Sequence, residues 1–152
     1  ELAKLEFSDF IRAEWQTRVD EQNFGVAQGG ARWGKELHYD RHPLTGARFE
    51  TILGLRRAKS TGFLSLEARF ANCLMLRHED LTANPEGFVR FVSEHYGLAR
   101  YQTFRPVAAR RGRASEGAFQ PAAYAPLETA DHAFVWAQLD LAQEAQLGYA
   151  PT

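Results

Sequence analysis

Leu74-Met75-Leu76-Arg77-His78-Glu79-Asp80-Leu81-Thr82-Ala83-Asn84-Pro85-Glu86 is the stretch on which the fold of this chain turns. A short apolar run from Phe70 to Leu76 reads as a strand, followed by a charged turn and a helix with a marked start. Asn84 is a good N-cap, because its side-chain oxygen can accept from backbone N–H groups left free in the first turn. Pro85 suits the first helical position, where its missing N–H costs nothing and its φ is already helical. Phe88, Phe91, Val92 and His95-Tyr96 follow at helical spacing, and Gly97 is placed to end the helix in a left-handed conformation.

Working outward, Ser8 can cap a helix running to about Val19, with Phe10, Ile11 and Trp15 on its buried side. Residues Gln22 to Gly46 are rich in glycine and polar groups and read as a long loop anchored by Trp33 and Tyr39, with room for a short strand or helix. Loops of that length in compact domains are usually functional or disordered. Thr45 is placed to cap a longer helix from about Ala47 to Phe63, with Phe49, Ile52, Leu53 and Leu55 apolar. Residues Ala99 to Leu127 are irregular. A helix then begins near Thr129, turning Phe134, Val135 and Leu139 inward, and Asp140 with Gln143 has capping-box spacing for a last short helix ending at Gly148. Phe70 to Leu76 is the one strong strand, and one strand cannot make a sheet, so partner strands are expected outside this chain.

The run from Leu74 to Leu98 resembles the "R-Y-E-D-L…(D/N)-P-E…F-x-G-L" segment of the sulfotransferase family, with His78 where Tyr is usual. Leu139-Asp140-Leu141-Ala142-Gln143-Glu144-Ala145-Gln146-Leu147-Gly148-Tyr149 is similar to that family's "L-D…E…L-G-Y" ending. Leu37-His38-Tyr39-Asp40-Arg41-His42-Pro43, followed by Leu53-Gly54-Leu55-Arg56-Arg57-Ala58-Lys59, resembles a bacterial sulfotransferase-like branch. These pieces occur in the family's order over nearly the whole chain. The resemblance implies an α/β fold of the P-loop sulfotransferase-like type, of which this chain is the mostly helical part with few strands. It implies transfer of a sulfuryl group from 3′-phosphoadenosine 5′-phosphosulfate to a hydroxyl of a sugar or small metabolite, without a metal.

In that family a strand, a glycine-rich phosphate loop and a helix near the N-terminus hold the donor's 5′-phosphosulfate, through backbone N–H groups that converge on phosphate. Here Gly25…Gly29-Gly30…Gly34-Lys35 comes nearest to such a loop. Glu36 occupies the hydroxyl position and no apolar strand precedes it, so it is not one. The family's Arg…Ser pair for the donor's 3′-phosphate is also lacking. Residues 1–152 are therefore expected to be the C-terminal portion of a single sulfotransferase-like domain whose N-terminal phosphate-loop portion is absent. A degenerate homologue that keeps only the scaffold is the alternative.

Arg110-Arg111-Gly112 falls where the family has an Arg-Lys-Gly loop gripping the donor's 3′-phosphate. Guanidinium forks match phosphate oxygens bidentately, and glycine lets backbone approach a ligand closely. The family continues x-x-Gly-Asp-Trp, whereas here the next glycine, Gly117, comes two positions late. A solvated basic loop is the bland reading. Arg100, Arg105, Arg110, Arg111 and Arg113 lie together with no acid between Leu98 and Ser115, and the chain beyond Arg113 has no further Lys or Arg. Such an island in a chain of net charge −1 indicates a local anion site rather than a general nucleic-acid binder. The rival to an enzyme is thus a non-catalytic helical module that binds an anionic partner through this Arg-rich loop.

His38, Asp40 and His42 alternate, and on a strand they would share a face. A His-Asp-His metal site of a hydrolase or a general-base histidine is conceivable, against folded-over loop residues as the plain reading. Pro43 follows at once and no fourth ligand is evident, so no metal is expected. Glu79 and Asp80 are adjacent and diverge, which suits holding a turn better than sharing a proton, and in the resembling family this acidic pair is architectural. No catalytic residue is assigned.

With 45% hydrophobic and 24% charged residues the chain is ordinary for one globular domain. Its single cysteine, Cys73, excludes an internal disulfide and suits a reducing, cytoplasmic compartment. No run reaches the ~20 apolar residues of a membrane helix, so no membrane span is expected.

Overall fold

The computed structural model describes residues 2–106 and 124–151. They are mostly helical, with a single two-stranded antiparallel sheet among the described residues. The chain divides into two units: Glu1–Cys73 with Leu127–Thr152, and Leu74–Pro126.

In the first unit, α1 spans Phe7–Arg12 and stops well short of Val19. The reason is competition from tertiary backbone pairing. The Trp15 N–H donates to the Phe49 carbonyl at 3.0 Å, and Thr17–Arg18 forms β1, paired with β2 at Glu36–Leu37. Thr17 lies opposite Leu37 and Arg18 opposite Glu36, and the ladder is continued by Val19 N–H to the Lys35 carbonyl and Gly34 N–H to the Val19 carbonyl. Glu6, not Ser8, is the N-cap of α1. Ser8 lies inside the helix, and its hydroxyl donates to Asp131 at 2.9 Å. Phe10 and Trp15 still meet edge to face, 6.2 Å between ring centres.

The loop expected from Gln22 to Gly46 contains three short elements: the tail of α2 (Glu21–Phe24), β2, and a 3₁₀ turn at His38–Asp40. The long helix α3 spans Ile52–Leu64 and is capped by Thr51, whose hydroxyl accepts from the Gly54 N–H at 3.3 Å. Thr45 instead accepts from Ala47 N–H in the preceding turn. The start moves because Ala47 and Phe49 give their carbonyls to His42 and Trp15 and stay non-helical.

α3 is the axis of this unit and packs against α1, α4 (Leu66–Arg69), α7 (Thr129–Gln138) and α8 (Leu141–Gln146). Among the described residues, Ile11, Val19, Leu53 and Leu55 are the buried apolar side chains of this unit. At about 2 kcal/mol each for full burial, that is a lean core, and charged clamps supplement it. The Glu144 carboxylate, 1% exposed, receives the Arg56 guanidinium through two hydrogen bonds of 2.8 and 2.6 Å. Arg56 also lies over the Tyr149 ring. Asp131, buried on α7, accepts from Arg12 at 2.6 Å as well as from Ser8, and Arg12 lies over Phe134, 4.3 Å from its ring centre.

α8 begins as its sequence directs: the Asp140 side chain accepts from the Gln143 N–H at 3.0 Å. The Gln143 carboxamide does not turn back to complete a capping box. It reaches Thr61 on α3, 2.9 Å away, with its oxygen toward Thr61 and its nitrogen toward the Arg57 carbonyl. Gly148, at φ +80°, closes the helix with paired bonds, Tyr149 N–H to the Glu144 carbonyl and Gly148 N–H to the Ala145 carbonyl.

Phe70 to Leu76 forms no strand, contrary to expectation: Phe70 closes α4 by donating to the Leu66 carbonyl, and among the described residues no strand pairs with those that follow. A strand is a property of a pair, and sequence preference alone cannot supply the ladder. In the second unit, α5 spans His78–Ala83 and α6 spans Pro85–Tyr96, and the two pack on each other. Asn84 is the junction. Its backbone N–H closes α5 onto the Asp80 carbonyl, and its side chain caps α6 by accepting from Gly87 N–H at 3.0 Å. Gly97, at φ +63°, ends α6. Neither helix has a fully buried residue, and Val89 and Phe91 stand exposed.

Candidate functional site

The described residues concentrate ionisable groups where β1, β2, the 3₁₀ turn and α3 meet. Arg48 forms the hub. Its Nε and Nη2 grip both oxygens of Glu36 at 2.9 and 2.6 Å, and its Nη1 reaches Glu14 at 2.7 Å. Arg41 adds a second cation to Glu36 at 3.0 Å. The Arg48 hydrogen bonds dominate over the opposing burial, and with Arg41 they hold the Glu36 carboxyl at about 2.

Beside this cluster, Asp40 receives Lys59 of α3 at 2.7 Å and the Thr17 hydroxyl at 3.0 Å. Lys59 is the main cause of a lowered Asp40 pKa, burial opposes it, and Thr17 assists. The buried Trp15 indole N–H makes no hydrogen bond of good geometry and contributes least. A carboxylate held low in this way stays ionised at neutral pH and is a weak proton acceptor. The cluster therefore fastens the loop to α3.

The His38, Asp40 and His42 side chains do not converge on one point. A 3₁₀ turn replaces the strand that would have aligned them, and His38 is exposed. Asp40 is engaged by Lys59 and Thr17. His42 Nδ1 accepts from the backbone N–H groups of Leu44 and Thr45, both at 3.3 Å, so its ring shapes the turn Pro43-Leu44-Thr45-Gly46. Among the described residues, no group of three or more His, Cys, Asp or Glu side chains is arranged to hold a metal ion.

Glu79 and Asp80 likewise go separate ways. Asp80 is clamped by Arg77 at 2.8 and 2.7 Å, which lowers its pKa, while the Glu79 carbonyl accepts from the Thr82 hydroxyl. Arg110, Arg111 and Gly112, the residues expected to bind the donor nucleotide, lie outside the described residues.

Sequence reasoning missed Glu36, Arg48 and Lys59, as well as the Arg56–Glu144 and Arg12–Asp131 pairs. Only the last two pairs left a trace, a single acid on each of two C-terminal helices that carry no Lys or Arg. Comparison with protein-family models, with curated proteins and with solved structures found no match. No helix among the described residues is long and apolar enough to cross a membrane.

Proposed function

We propose that this chain is the helical part of a P-loop, sulfotransferase-like α/β domain. The observation that carries the reading is the meeting of two resembling segments 88 residues apart, through Arg56 of Leu53–Lys59 and Glu144 of Leu139–Tyr149. Within the second segment four of the motif residues have distinct structural roles. Asp140 caps, Glu144 is clamped, Gly148 closes the helix and Tyr149 lies beneath Arg56. In the remaining segment Asp80, Asn84, Pro85 and Gly97 have roles as definite. Residues in such roles are constrained by a common scaffold, which is the reason to take the likeness as more than compositional.

On this reading a sulfuryl group passes from 3′-phosphoadenosine 5′-phosphosulfate to a hydroxyl of a sugar or small metabolite by in-line attack on sulfur. Cationic groups stabilise the charge on the transferring group and on the leaving phosphate. Arg110 and Arg111 supply forks for the donor's 3′-phosphate and Gly112 lets backbone come close, while the Gln22 to Gly46 segment covers the acceptor. Catalysis needs a phosphate-loop portion that these 152 residues lack. The lone Cys73 suits a reducing, cytoplasmic setting, and the branch that the Leu37–Pro43 and Leu53–Lys59 segments resemble is bacterial.

Calorimetric titration with adenosine 3′,5′-bisphosphate, alongside intact mass, tests the reading. Micromolar binding that is lost in Arg111→Ala supports it. A folded 17.2 kDa chain that ignores the nucleotide favours a second reading, an anion-binding helical module, for which the acid-free run from Leu98 to Ser115 and the absence of a phosphate loop speak. That module would bind a polyanion with steep salt dependence and no preference for the nucleotide.

A further inference from the structure

We draw no further inference here: the strongest candidate, the part-exposed apolar face of α6 formed by Phe88, Val89, Phe91 and Val92, carries none because nothing among the described residues shows what covers it.

Discussion

Arg56 and Glu144 form the most consequential side-chain pair, because their exposures are so unequal. Glu144 is almost fully buried, whereas the Arg56 side chain is 42% exposed. Truncating the arginine leaves a buried carboxyl group without its main hydrogen-bond partner in a site that water barely enters. Arg56→Ala should therefore destabilise the chain by about 2–4 kcal/mol, read as a lower urea midpoint at unchanged slope. Arg57→Ala, which loses one exposed bond to the Gln138 carbonyl, should cost about 1 kcal/mol or less.

The Glu36 cluster gives a second residue-scale expectation, in pH. Glu36 titrates at about 2 in the folded chain, below its ordinary 4.5, because Arg48 and Arg41 favour the ionised form. The unfolded chain then takes up this proton first as pH falls. The stability that the pair supplies is whole above the ordinary value and is lost as pH drops from there toward about 2. Asp40, Asp80 and Asp131 shift in the same sense. Unfolding midpoints measured from about pH 6 to about pH 2 should fall more steeply for the natural sequence than for Arg48→Met. Equal slopes would show that Arg48 does not hold Glu36 ionised.

At the scale of elements, the helix ends that local chemistry decides were the legible ones. Asn84, Pro85, Gly97, Asp140 and Gly148 all act where their chemistry placed them, because a cap is decided by a residue and its immediate neighbours. The end of α1 and the start of α3 were misread for the opposite reason. Both are set by bonds between Trp15 and Phe49 and between β1 and β2, which no local window contains. The strand expected at Phe70 to Leu76 failed on the same ground, since pairing needs a second segment.

The Asn84 cap makes a prediction of its own. A methyl group added at Gly87 would collide with the Asn84 carboxamide. Gly87→Ala should thus gain about 1 kcal/mol of helix propensity and lose about 1 kcal/mol of capping, with almost no net effect. In an Asn84→Ala background, where no cap remains to be displaced, the same change should stabilise by roughly 0.5–1 kcal/mol. Thermal melts of the natural chain, both single variants and the double variant would measure this coupling, and simple additivity would refute it.

For the whole molecule, the first unit is assembled from two stretches of sequence, Glu1–Cys73 and Leu127–Thr152, that the second unit separates along the chain. Deleting residues 140–152 removes α8 and the Glu144 carboxylate together, and strips α3 of a packing neighbour. The truncated chain should lose its cooperative unfolding transition in circular dichroism, whereas trimming residues 150–152 should leave it intact. The charged cluster beside α3 was illegible for the same topological reason. Glu36, Arg41, Arg48 and Lys59 are unremarkable in sequence until the sheet and the 3₁₀ turn bring them together. The alternating histidines, more conspicuous in sequence, are an exposed side chain and a turn former.

The clamp between Arg56 and Glu144 also bears on the order of events at the ribosome. The two residues are 88 positions apart, so at ordinary elongation rates of about 5–20 residues per second the arginine waits roughly 4–18 s for its partner to be made. For that interval α3 has emerged with the face that receives α8 bare, and the nascent chain is open to chaperones and proteases. Pauses introduced by slow codons between the two positions would lengthen that exposure without changing a single amino acid.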